Sequence, residues 1–180
     1  KEGRAYVLEN GRKAGVEFLT AYDAATGEVF SPMRGDRTSC ALSAAMIAAV
    51  DRASARMVLH HNHPASSSLS PADVKFLTKP GVAAIVAHGH DGSEYRAEPG
   101  GKAITKAAID RSYRDAYAWL NQQVQARAIA IEEASILLGH IAWLKLHRAG
   151  QMRYIWTLKG RGAKAYKAHA ASIATYLELD

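Results

Sequence analysis

The sequence predicts an α/β (α+β) protein, with a mixed β-sheet flanked by helices and a helical C-terminal extension. The runs at residues 57–59 and 82–86 are continuously apolar, which is typical of buried strands. Alanine-rich and amphipathic helical patterns lie around and after them. With 180 residues, 48% of them hydrophobic, the chain is long enough to bury a core.

The first third of the chain is predicted to contain a hairpin and one helix. Residues 4–35 have strand character that begins at Ala5-Tyr6-Val7-Leu8, and residues 16–23 and 29–30 are predicted to pair around a turn. Residues 39–52 are alanine-rich and predicted to be helical. The apolar residues on one side of that helix are Leu42, Met46, Ala49 and Val50.

The middle of the chain is predicted to place a strand, a stop and a capped helix in sequence. The strand runs from Met57 into His60-His61-Asn62-His63, and Pro64 ends it. Ser70 followed by Pro71 is typical of an N-cap with proline at the first helical position, and this helix should reach about Leu77. Strands are predicted over residues 82–97.

Glu98-Pro99-Gly100-Gly101 is the predicted domain boundary, which divides the chain into a domain of residues 1–100 and a helical basic extension of residues 101–180. Two helices are predicted in the extension from their apolar stripes. The stripe of the first helix is Tyr113, Tyr117, Leu120 and Val124. The stripe of the second is Ala134, Leu137, Ile141 and Leu144.

His61, His63 and Asp73 are the predicted metal ligands. Residues i and i+2 of a strand point to the same side, so both imidazoles can face one ion. Asp73 follows in the first turn of the capped helix and is the only acidic residue between Asp51 and Asp91. Two histidines, one carboxylate and an open fourth position are typical of a catalytic zinc site.

These motifs resemble those of the JAMM (MPN-plus, JAB) zinc metalloproteases. Their residues are most similar to those of the bacterial RadC-like branch. The shared pattern is an early glutamate, then His61-Asn62-His63-Pro64, a short loop, and Ser70-Pro71-Ala72-Asp73. The resemblance covers roughly residues 4–100. The loop of residues 65–69 is one residue shorter here than the family usually has.

The resemblance implies two further site residues. Glu17, 44 residues before His61, would be the general base and acid, and Glu9 and Glu28 are the alternatives. Ser70 would donate a hydrogen bond to the oxyanion. The alternative is that Ser70 serves only as the N-cap of the following helix. The implied activity is hydrolysis of a peptide or isopeptide bond through a metal-activated water, by an isopeptidase-like enzyme whose substrate could be a ubiquitin-like conjugate.

The other histidines are weaker candidates. His60 should point to the face opposite His61, and His88-Gly89-His90 repeats the spacing but precedes a predicted hairpin turn at Asp91-Gly92. The histidines in the predicted helical segments are expected at the surface. They are His140, His147 and His169.

Charge divides at the same boundary. Residues 1–100 carry 11 Lys and Arg against 11 Asp and Glu, whereas residues 101–180 carry 12 against 6. Between Lys145 and Lys167 there are seven basic residues and no acid, interleaved with aromatic residues. This composition suits nucleic acid or another acidic partner, and a solvated surface is the alternative.

Two alternative functions follow from these features: a RadC-like module associated with nucleic acid, or a toxin or phage effector domain of a larger protein. The start at Lys1 is compatible with a piece of a longer chain. Cys40 is the only cysteine, so no internal disulfide can form, and no apolar run is long enough for a membrane span. A cytoplasmic protein, or a part of such an effector, is therefore expected.

Overall fold

A computed structural model describes residues 2–178, in which six strands form one mixed sheet with helices packed around it. The elements in chain order are α1 (Glu2–Ala14), β1 (Phe18–Asp23), β2 (Val29–Arg34), α2 (Ala44–Val50), β3 (Met57–His63), α3 (Pro71–Lys75) with a 3-10 turn (Phe76–Thr78), β4 (Val82–Gly89), β5 (Glu94–Pro99), α4 (Lys106–Gln125), α5 (Ile131–Arg148), β6 (Met152–Thr157) and α6 (Gly160–Glu178). The predicted mixed α+β class is confirmed.

The strand order is β2-β1-β3-β4-β5-β6. Only the central pair, β3 and β4, is parallel, and every other neighbouring pair is antiparallel. In the β1–β3 register Leu19 lies opposite His61 and Ala21 opposite Leu59. These four side chains therefore share one side of the sheet, which we call the front face, and His60 and Asn62 point to the back face.

The prediction of a strand at Ala5-Tyr6-Val7-Leu8 is wrong, because residues 2–14 form α1, whereas the predicted hairpin is confirmed by β1 and β2. Lys13 pairs with Glu9 one turn earlier at 2.8 Å, and Gly15 ends the helix with a φ of 67°. The helix lies on the back face. A Cβ on Gly11 would overlap the side-chain amide of Asn62, so glycine is what lets the helix approach the sheet.

The predicted helix over residues 39–52 is shorter than expected. It begins at Ala44, because Ser43 caps it by accepting a hydrogen bond from the Met46 amide at 3.2 Å. Met46, Ala49 and Val50 are buried as predicted, and Leu42 packs against the core from the preceding loop.

The C-terminal part contributes a strand as well as helices. β6 was not predicted, and it pairs with β5 to complete the sheet.

The apolar stripe predicted for α4 is partly wrong, because Tyr117 is 60% exposed. The residues buried on that helix are Ile109, Ser112, Ala116 and Leu120. One hydrophobic core joins the front face to α4, α5 and α6, so residues on both sides of the predicted boundary at residue 100 pack together.

No helix within residues 2–178 combines the length and apolar character needed to cross a membrane.

Candidate metal centre

The register of β1 and β3 brings Glu17, His61 and His63 to one place on the front face. Antiparallel continuation of the Leu19–His61 pair sets residue 17 across from His63. Glu17 is fixed there by its backbone, since its amide donates to Asp36 O at 2.6 Å and its carbonyl accepts from the Gly35 amide at 2.9 Å. Glu17, His61 and His63 are all buried.

The N-terminal cap of α3 positions the Asp73 carboxylate. The Asp73 amide donates to Ser70 Oγ at 3.2 Å, and the Ser70 amide donates to Asp73 Oδ2 at 2.7 Å. This reciprocal capping box holds the Asp73 side chain beside the end of β3. The cap uses a lone pair of Ser70 Oγ and leaves its hydroxyl proton available for another acceptor.

His61, His63 and Asp73 converge closely enough to hold a metal ion. The two Nε2 atoms are 2.9 Å apart, and they lie 3.5 and 3.6 Å from Asp73 Oδ2. Ligand atoms around tetrahedral zinc stand about 3.3 Å from one another when the metal–ligand bonds are near 2.0–2.1 Å. The three side chains therefore fit a metal ion of this kind.

A hydrogen bond at the other ring nitrogen orients His63. Its Nδ1 lies 2.9 Å from the Ser67 carbonyl oxygen, which can only accept, so Nδ1 carries the proton in the neutral ring. Nε2 then presents a lone pair toward His61 and Asp73. Metal-binding histidines usually donate the N–H of the ring nitrogen that does not bind the metal to an oxygen in this way.

Burial and charge act in opposite directions in the group. Burial raises the pKa of Glu17, against the lowering effect of His63 and His61. Burial also opposes charge on His63 and Asp73. The attraction between them wins, so the pKa of His63 is raised and that of Asp73 lies well below its usual range. His61 and His63 therefore favour the charged form of Asp73, a role that a bound cation would take over.

The group opens into a cavity of about 370 Å³. One wall is the loop after β2, from Arg37 to Cys40, and the other is the chain from Pro64 to Ser70. Cys40 is not a thiolate there, because burial raises its pKa to about 11. Glu17 reaches the same cavity, and its Oε1 is 4.0 Å from His63 Nε2.

The competing acids lie elsewhere. Glu9 is exposed on α1 and Glu28 is exposed before β2, whereas Glu17 is 7% exposed beside His63. The structure therefore brings together all five residues predicted for the site: Glu17, His61, His63, Ser70 and Asp73.

The other histidines do not reach this centre. His60 and His88 lie on the back face, where Nδ1 of the first is 2.9 Å from Nε2 of the second. Burial lowers their pKa values to about 4 and about 3, so both rings are neutral at pH 7. His90 contacts Asn62 on the same face. The prediction that His140 is at the surface is wrong, since it is 1% exposed in the core.

Sequence reasoning missed the residues that surround the ligands. The Ser67 carbonyl offers no sequence signal, because any residue has one. Arg37, Thr38 and Ser39 form a cavity wall only because the Asp36 carboxylate folds their loop, accepting from the Thr38 and Ser39 amides at 2.8 Å each. Asp36-Arg37-Thr38-Ser39 is a recognisable turn sequence.

The fold and the centre define a mixed α+β protein with a buried group of two histidines and one carboxylate beside a glutamate. No protein-family model, no curated protein and no solved structure matches this chain. Membership of the JAMM family therefore stays a prediction from the motifs.

Proposed function

We propose that this protein is a zinc-dependent hydrolase of the JAMM type that cleaves a peptide or isopeptide bond. The single observation that carries the proposal is the position of the Glu17 carboxylate, which shares one open cavity with the His61–His63–Asp73 group. A carboxylate kept out of water beside three convergent ligands is the arrangement that activation of a water molecule requires.

Zinc bound by His61, His63 and Asp73 would lower the pKa of a coordinated water to about 7 and polarise the substrate carbonyl. Glu17 accepts the proton of the attacking water and later delivers it to the leaving amine. Its raised pKa, caused by burial, suits a group that must both take and return a proton. Ser70 donates a hydrogen bond from its hydroxyl group to the oxygen of the attacked carbonyl.

The proposal is tested by a cleavage screen with zinc-loaded protein. The panel should include unstructured peptides and isopeptide-linked conjugates of ubiquitin-like proteins, since the cavity is open and an isopeptide bond lies on a flexible lysine stem. Cleavage of either class that is lost on chelation and restored by zinc is the expected result. No cleavage of any amide by zinc-loaded protein would contradict the proposal.

Ser70→Ala is expected to lower turnover by about 10²-fold, the usual cost of losing one oxyanion donor. It also removes the cap of α3, which costs about 1 kcal/mol of stability. Cleavage rate and thermal unfolding should therefore be measured together on zinc-loaded protein.

Ser43→Ala is the matched control for this variant. Ser43 caps α2 through a hydrogen bond of the same 3.2 Å length, and it lies outside the cavity wall. Both variants should lose similar stability, and only Ser70→Ala should lose turnover. Equal turnover in the two variants would mean that Ser70 acts only as a helix cap.

A basic surface lies at the same end of the strands as the metal centre, after the last residue of β6. Lys159, Arg161, Lys164 and Lys167 are exposed at the start of α6, and we call them the basic ridge. The Lys159 amide donates to Ser93 Oγ in the β4–β5 turn, and the Asp91 amide of that turn donates to Ser66 Oγ, both at 3.0 Å. The ridge is therefore linked through the β4–β5 turn to the loop that connects His63 with α3.

The aromatic residues of this region face inward. Tyr154 is buried, and Trp156 and Tyr166 pack edge-on against His140 at 5.2 and 5.0 Å between ring centroids. They are not an exposed platform for stacking bases, so the charge of the ridge is what would attract a partner. An acidic protein substrate is the partner that fits the proposed hydrolase.

Changing all four ridge residues to glutamine is expected to weaken binding of an acidic partner and to flatten its salt dependence, with zinc content unchanged. Binding of duplex DNA, single-stranded DNA and an acidic peptide should be measured at two salt concentrations. The matched control changes four exposed basic residues near α4 to glutamine, namely Lys102, Lys106, Arg111 and Arg114. Equal weakening by both variants would assign the effect to net charge alone.

A further inference from the structure

The loop between the second histidine and the cap of α3 is held by residues from distant parts of the chain. We call residues 65–69 the ligand loop. Tyr95 Oη donates to the Ser66 carbonyl at 3.2 Å, and Trp143 Nε1 donates to the Leu69 carbonyl at 2.8 Å. Between them, Tyr154 Oη and Ser68 Oγ share a hydrogen bond of 2.9 Å.

The carbonyl in the middle of this loop is the one that orients a metal ligand. The Ser67 carbonyl accepts from His63 Nδ1, and the carbonyls of Ser66 and Leu69 on either side are fixed by Tyr95 and Trp143. Displacement of either neighbour would move the Ser67 oxygen. The rotation and tautomer of His63 therefore depend on contacts that do not touch His63.

The ligand loop is held in a conformation that it would not keep alone. Ser66 has a φ of 56°, in the left-handed region that residues other than glycine rarely adopt. Such a conformation persists only where surrounding contacts impose it. Here the contacts come from the Tyr95 hydroxyl and from the Asp91 amide, which donates to Ser66 Oγ at 3.0 Å.

Helix α5 approaches this loop closely because it carries a glycine at the point of contact. A Cβ on Gly139 would lie 3.0 Å from the Leu69 carbonyl oxygen and 3.4 Å from Ser68 Cβ. Trp143, one turn later on the same side, can then reach the Leu69 carbonyl. Both Trp143 and Tyr154 are almost fully buried, so their polar atoms have no access to water as an alternative partner.

We propose that Trp143, Tyr154 and Tyr95 are positioning residues of the metal centre, which fix the ligand loop so that the Ser67 carbonyl holds His63 ready to bind an ion. The inference rests on the metal site of the proposed function, but not on the reaction. It gives the C-terminal part of the chain a role inside the site, because α5 and β6 supply two of the three contacts. Tyr95, on β5, supplies the third.

Trp143→Phe and Tyr154→Phe test this role with little loss of volume. Each removes one hydrogen-bonding group from the ligand loop and keeps an aromatic ring in the core. Zinc affinity, measured by competition with a chelator, is expected to fall by about tenfold in each, the lower end of the effect of outer contacts at metal sites.

Two variants with the same chemical change serve as controls. Trp119→Phe alters a tryptophan that stacks on Tyr176 at 4.6 Å, and Tyr166→Phe alters a tyrosine that packs against His140. Neither residue donates a hydrogen bond to the ligand loop, so zinc affinity should stay within twofold of the unchanged protein. An equal fall in these controls, or no fall in Trp143→Phe and Tyr154→Phe, would overturn the proposal.

A double-mutant cycle isolates one of the contacts. Ser68→Ala and Tyr154→Phe remove opposite ends of one hydrogen bond, and Tyr154→Phe also removes a 3.1 Å contact with His140 Nδ1 outside the loop. If Tyr154 acts through the loop, the double variant should lose no more zinc affinity than the weaker-binding single variant. Fully additive losses would mean that the two side chains act on the site separately, against the proposal.

A second readout does not require metal. In the metal-free protein at alkaline pH, nitrogen-15 NMR should show neutral His63 protonated at Nδ1, with slow exchange of that proton. Trp143→Phe and Tyr154→Phe should lose this protection, and Trp119→Phe should keep it. If the unchanged protein bound no zinc, the proposed function would fail, while an Nδ1 proton equally protected in all variants would overturn the positioning role by itself.

Discussion

Glu17→Gln is expected to keep the zinc and the fold while slowing hydrolysis by between about 10² and 10⁴-fold, the usual contribution of a general acid–base group. The amide cannot accept the proton of the attacking water, although it fills the same space. Glu17 is the candidate because it is buried beside His63, with 4.0 Å between Oε1 and Nε2. Single-turnover cleavage of the best substrate from the screen measures the effect, with zinc content determined on the same sample.

Glu28→Gln and Glu9→Gln are the matched controls, because both residues are exposed and outside the cavity. Each should cleave like the unchanged protein. Activity that survives in Glu17→Gln but disappears in Glu28→Gln would move the general base to the other end of the hairpin and contradict this account of the site.

Replacing His61 and His63 together with alanine is expected to reduce bound zinc from close to one equivalent per chain to almost none. Two of the three protein ligands are lost, and Asp73 alone offers one carboxylate. Elemental analysis after dialysis against metal-free buffer measures the change. Circular dichroism should show that the fold is retained, because the ladders that hold β3 in the sheet are made by backbone groups and not by these side chains.

His60→Ala with His88→Ala is the control for this experiment. These two imidazoles are on the back face and also approach to 2.9 Å, so the variant likewise removes two histidines from the centre of the sheet, one from β3 and one from β4. It should retain the zinc. Full retention in the His61→Ala, His63→Ala variant would exclude the predicted site.

The three metal ligands could be predicted because their positions depend only on features that are local in the sequence. Alternation along a strand sets His61 and His63 on one side, and the Ser70-Pro71 cap fixes where Asp73 returns. The distance between His63 and Asp73 along the chain is only ten residues. Glu17 needed the family resemblance, because pairing of β1 with β3 is a long-range contact.

The N-terminal helix was missed because its local signal favours the wrong element. Ala5-Tyr6-Val7-Leu8 looks like a short strand, and only Val7 and Gly11 are buried in α1, so no apolar stripe marks it. The close approach to Asn62 that explains Gly11 becomes visible only when the sheet is assembled. Local propensity was overruled here by tertiary packing.

The residues around the ligand loop could not be predicted, for a different reason. Trp143 is 74 positions from Leu69, and Tyr154 is 86 positions from Ser68. The prediction for His140 failed because α5 is buried on several sides, between the sheet and its neighbouring helices. A polar residue on such a helix does not mark a solvent-exposed face. Contacts of this kind depend on how the elements pack, which periodicity does not encode.

The most direct test of the central claim is a crystal structure of zinc-loaded protein with anomalous scattering measured on both sides of the zinc absorption edge. We expect one strong zinc peak per chain, among His61 Nε2, His63 Nε2 and a carboxylate oxygen of Asp73, with the Glu17 carboxylate facing the open side. The absence of a peak there, or a peak between His60 and His88 on the back face, would contradict it.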